Sequence, residues 1–180
     1  MASSFAGPRS AAWTIARRLG VPVGVFVGGS AAVTVAGFGT TSSALSLVGT
    51  SHATLAAAAL ALAAMGALCG RRFRDPLDAV ACSAFAAGLV SFGVLLAGPL
   101  VQHLPDAVIN VALLASPLVA TAAGAQIDIL RTETFYQLSP IAHRRFDYPA
   151  WHVAAATYLI VTMLCFVALH RDSRRPPAGF

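Results

Sequence analysis

Lysine is absent from this 180-residue chain, and seven acidic residues stand against twelve arginines. Nothing physical forbids lysine at a helix end, so its absence reflects coding composition. Charged side chains make up 11% of the sequence, where a soluble domain carries about 25%. So few charges cannot coat a water-soluble fold of this size. The cysteines Cys69, Cys82 and Cys165 form no CxxC or CxxH spacing, which excludes a zinc ribbon and gives no disulfide framework. Also missing are GxSxG, HExxH and a phosphate-binding glycine loop. Paired acidic motifs are lacking too, which argues against enzymes that hold Mg²⁺ with several carboxylates. Strand-like alternation of polar and apolar residues does not occur.

What the chain does hold is apolar length. Hydrophobic residues reach 57% and mean hydropathy is +0.74, which suits a chain whose solvent is lipid. The expected fold is all-α, a polytopic membrane bundle of five transmembrane helices with short loops. The spans fall at about 21–40, 46–69, 77–101, 108–130 and 151–169, each near the ~20 residues a bilayer core demands. They form one transmembrane domain over 21–170, preceded by a basic segment at 1–20 and followed by a basic tail at 171–180. Start signals agree: Asp75-Pro76-Leu77-Asp78 supplies an acidic cap, a proline at the first helical position and a second acid in the first turn. Pro105-Asp106 opens the fourth span, and Pro149 precedes the fifth. Phe146, Tyr148 and Trp151 beside Arg144 and Arg145 read as an interfacial belt.

The net charge of +5 and a pI near 9.9 do not indicate nucleic acid. The arginines occur as four triplets at the edges of apolar runs, where cations anchor helices to headgroups. Five crossings place nine arginines on one side and leave Arg171, Arg174 and Arg175 on the other. Omitting the first span makes the split even. The positive-inside tendency therefore selects an amino terminus inside and a carboxyl terminus outside. The first twenty residues lack acids and suit a targeting presequence, a signal anchor or a plain tail. That segment leaves the membrane open: mitochondrial inner or endomembrane if the source is eukaryotic, or a bacterial inner membrane.

Association between lipid-solvated helices depends on close backbone approach and interhelical polar contacts. Span one offers a ladder at four-residue spacing, Gly24, Gly28, Ala32 and Ala36. Span two offers Ala59, Ala63 and Ala67, with a separate Gly66 to Gly70 step. At least one of these two small-residue helices is expected to be sandwiched. In span four, Asn110, Pro117, Thr121 and Asp128 fall on one line at 100° per residue, with Gly124 nearby, so a polar stripe should face the interior or a wet cavity. Asp128 and His152 share the inner surface in this topology and form a candidate proton pair. His52, His103 and His170 share the outer face and are the one place where a metal or haem iron would sit.

No catalytic set emerges and no cofactor is expected. The expectation is a structural or assembly role, as an accessory subunit or scaffold whose partners are the bilayer and other membrane subunits. One alternative is a small carrier or channel component using the fourth-span stripe. Another is a metal- or haem-dependent membrane enzyme using the histidines.

Overall fold

The computed structural model describes residues 8–38, 41–73, 75–96, 100, 103–131 and 147–173. Regular structure among them is helical throughout: α1 (Pro8–Phe38), α2 (Ser42–Arg72), α3 (Pro76–Leu96), α4 (Asp106–Ala115), α5 (Pro117–Gly124) and α6 (Trp151–Ser173), with a 3-10 turn at Ile129–Arg131. Four helices (α1 through its stretch Gly20–Gly37, α2, α3 and α6) are long and apolar enough to cross a membrane, and α4 with α5 makes a fifth if that bent pair is one span. The interfacial belt around Arg144, Arg145 and Phe146, residues 1–7 and the tail beyond 173 lie outside the described residues.

Local chemistry sets the helix starts. The Asp75 carboxylate accepts from the Leu77 backbone N–H at 2.8 Å, so the acid that precedes Pro76 caps α3 as its sequence position predicts. Thr41 caps α2, its hydroxyl accepting from the Ala44 N–H at 3.3 Å. The connections between α1 and α2, and between α2 and α3, span only a few residues, so each pair is antiparallel.

Helix α2 is the centre of the molecule and packs against α1, α3, α5 and α6. Its inward face is small: Ser51, Thr54, Ala57, Ala58, Ala61 and Ala64 are buried. Without bulky side chains there, the Ala154 and Tyr158 face of α6 and Ala120 of α5 come in close. The buried row is therefore offset from Ala59, Ala63 and Ala67. A second apolar cluster ties Val94 and Leu95 at the end of α3 to Ile109, Leu113, Val119 and Leu130. Large side chains such as Phe26, Phe85, Leu89, Ile160 and Met163 point outward. Outward apolar bulk of this kind matches a hydrocarbon surround.

The direction of α6 departs from the expected five-rod scheme. Spans two and five run antiparallel there, but α2 and α6 are parallel in the structure. Their amino-terminal halves meet at Ala57, Ala61, Ala154 and Tyr158, and their carboxyl ends meet where the Arg71 guanidinium donates to the Leu169 carbonyl at 2.7 Å. The cause lies between them, in the segment expected to be one straight fourth span.

Candidate functional site

That fourth segment is broken. Ser116 is extended, with φ −78° and ψ 112°, and α4 and α5 meet across it at 81°. Pro117 explains the break: its ring excludes the α conformation from the preceding residue, and it has no N–H to give the carbonyl of Leu113. Ser116 replaces what is lost. Its N–H turns back to the carbonyls of Ala112 and Leu113 at 3.1 and 3.3 Å, and its hydroxyl accepts weakly from Val119 N–H at 3.5 Å as the cap of α5. At ten and eight residues, α4 and α5 are roughly 15 and 12 Å long, each far short of a bilayer core.

Three hydroxyl hydrogen bonds tie the broken segment to neighbouring helices. Ser116, fully buried, donates to the Ser91 carbonyl of α3 at 2.7 Å. Tyr158 of α6 donates to the Leu114 carbonyl at 3.0 Å, an acceptor that the interrupted helix leaves without its usual partner. Thr50 of α2 donates to the Gly124 carbonyl at 2.6 Å. Irregular backbone survives in an apolar surround only where protein supplies its hydrogen bonds, and Tyr158 supplies one at the break while Thr50 supplies one at the end of α5.

At its far end α5 lies directly on α2. A Cβ at Gly124 would stand 3.1 Å from Ser51 Cα and 3.2 Å from Ser51 N, so glycine suits this backbone-on-backbone contact. The chain then turns through Gln126 at φ 57°, with Ile127 N–H bonding Ala122 and Gln126 N–H bonding Ala123. These two bonds and the left-handed residue form a Schellman stop. Beyond it, the Tyr148 hydroxyl donates to the Asp128 carboxylate and accepts from Leu130 N–H at 3.2 Å, joining the end of this segment to the entry of α6.

The expected polar stripe is thereby divided. Asn110 is exposed on α4, Thr121 belongs to α5, and Asp128 lies beyond the helix and is exposed. Their common line assumed an unbroken helix, and Pro117, itself counted on that line, breaks it. The Thr121 hydroxyl is buried and has no hydrogen-bond partner among the described residues. Asp128 accepts from the Tyr148 hydroxyl, and His152 is exposed and sets its ring edge-on against Trp151 at 5.8 Å.

The three histidines do not share a depth. His52 sits near the start of α2, its Nδ1 2.8 Å from the Val48 carbonyl. His170 follows Leu169, which adjoins Arg71 at the opposite end of α2. Nineteen residues of helix separate those ends by roughly 28 Å. His103 is exposed after α3, and no group of three potential metal ligands occurs among the described residues.

The small-residue ladders also divide. Gly24, Gly28, Ala32 and Ala36 are all exposed on α1, while Val23, Val27, Ala31 and Thr34 turn toward the protein. A Cβ added at Gly24 or Gly28 would meet nothing within 4 Å among the described residues. On α2, Gly66 and Gly70 line an open groove of about 670 Å³ facing Ala79 and Ser83 of α3.

The sequence reading missed Thr50, Ser91, Tyr148 and Tyr158 as supports of the broken segment. The available signal was Ser116-Pro117, a cap residue followed by proline at the first helical position. Comparison with family models, curated proteins and solved structures finds no match.

Proposed function

We propose that this chain is a multi-pass membrane protein with four crossings, α1, α2, α3 and α6, and that α4–α5 enters and leaves on one side as a re-entrant pair. In this arrangement both termini share a face with the 71–74 connection, and the 131–145 segment lies on the other. The arginine split is again nine to three, now with residues 171–175 joining the majority. Support for the arrangement comes from the parallel α2 and α6, the 81° break and the return of Gly124 to the amino-terminal part of α2.

Its role in this reading is assembly, as an accessory subunit or scaffold that seats a partner's transmembrane helix on α1. The observation that carries it is the outward ladder Gly24, Gly28, Ala32 and Ala36, a face without bulk on a helix whose apolar stretch has no buried residue. Such a face lets a second helix approach closely. The test is extraction in mild detergent with the ladder intact and with Gly28→Leu. A stoichiometric membrane partner should co-purify with the native chain and be lost from Gly28→Leu, with helical content unchanged. A clean monomer from both preparations overturns the assembly role.

A carrier or channel role is the second reading, favoured by the broken helix and the unpartnered Thr121 hydroxyl. Proteoliposomes carrying a pH-sensitive dye test it. Proton flux that falls in Asp128→Asn or Thr121→Val supports this reading, and flux equal to empty vesicles removes it.

A further inference from the structure

The three cysteines, which share no motif, come from three helices that meet at one end of the bundle. The contact of Gly66 with Ser83, where an added Cβ would lie 3.8 Å from the serine hydroxyl oxygen, sets the antiparallel register of α2 and α3. That register brings Cys69, one turn beyond Gly66, alongside Cys82, the neighbour of Ser83, close enough for each thiol to act on the other. Cys165 approaches Cys69 from α6, one turn before the Leu169 carbonyl that holds Arg71. All three are free thiols; Cys69 and Cys82 are partly exposed, and Cys165 is buried.

We propose that Cys69 and Cys82 form a reversible disulfide that clamps α2 to α3, with Cys165 left as the buried third thiol. The oxidant is a small-molecule disulfide. One cysteine thiolate attacks it, its S–S bond breaks, and half departs as a thiol after taking a proton. The second cysteine, as thiolate, attacks the mixed disulfide and expels the other half. The two cysteines lose two electrons and two protons, and the oxidant becomes two thiols. Neither residue is part of the proposed assembly face, so this inference stands or falls apart from that reading.

The experiment uses the full chain in mild detergent, treated with oxidised glutathione, then denatured and labelled with a maleimide. Reduced protein should take a maleimide at every cysteine. Oxidised protein should take one, at Cys165, and digestion should yield a peptide carrying Cys69 linked to Cys82. Reductant should restore full labelling. Any one of four results overturns the proposal: undiminished labelling after oxidation, a Cys69–Cys165 link, glutathione retained on a single cysteine, or a disulfide-linked dimer. Cys82→Ser should keep its helical circular dichroism and lose the cross-link. If that variant folds poorly, peptide mapping of the native chain decides alone.

Discussion

Gly124 is the position where a single atom matters most. Its replacement by alanine puts a methyl 3.1 Å from the Ser51 backbone, so one helix must shift by a few tenths of an ångström to admit it. Gly124→Ala should therefore lower stability by about 1–3 kcal/mol, measured by thermal unfolding in detergent followed by circular dichroism. Gln126 presents the opposite case. It holds φ 57°, a conformation that glycine adopts without steric cost. Gln126→Gly should leave the turn intact and raise stability by about 0.5–1 kcal/mol, and a loss in the same assay would refute the strain assigned to it. Both effects involve residues whose types were visible in the sequence. The reason each is needed was not, because it depends on what lies opposite: Ser51 for Gly124, and the end of α5 for Gln126.

At the scale of elements, the break between α4 and α5 persists because other helices provide its hydrogen bonds. Tyr158→Phe removes the donor to the Leu114 carbonyl while keeping the ring packed against Ala57 and Ala61. The expected cost is about 1 kcal/mol, close to interhelical hydrogen bonds in other membrane bundles, and a denaturant series on the variant measures it. Helix positions and most helix starts were legible, since apolar runs and caps such as Asp75-Pro76 are local signals. The course of the fourth run was not. A hydropathy window averages across Ser116-Pro117, and a 100° periodicity carried through that dipeptide aligned Asn110, Thr121 and Asp128, which the bend separates. The same averaging hid the buried row on α2: Ala59, Ala63 and Ala67 fit a ladder as well as Ala57, Ala61 and Ala64, and only the partner helix distinguishes them.

For the whole molecule, the prediction concerns sidedness. In a cysteine-free background, single cysteines at positions 10 and 173 should label from one face of sealed vesicles, and a cysteine at position 139 from the other. Labelling of 10 and 139 from one face, with 173 opposite, would restore five crossings. Arginine counting cannot distinguish these outcomes, because moving the 131–145 and 171–175 triplets between faces leaves nine against three in both. By itself the sequence determined that the chain is helical and apolar enough for lipid, since charge and hydropathy are sums over residues that do not depend on where the chain turns. Only the tertiary structure decided that α2 and α6 run parallel, that the α1 ladder faces outward, and that histidines 52 and 170 lie at opposite ends of the bundle. The first and third follow from the bend at Ser116-Pro117 and from the hydroxyls that hold it, and the second from how α1 packs on α2; all rest on contacts between residues far apart in the chain.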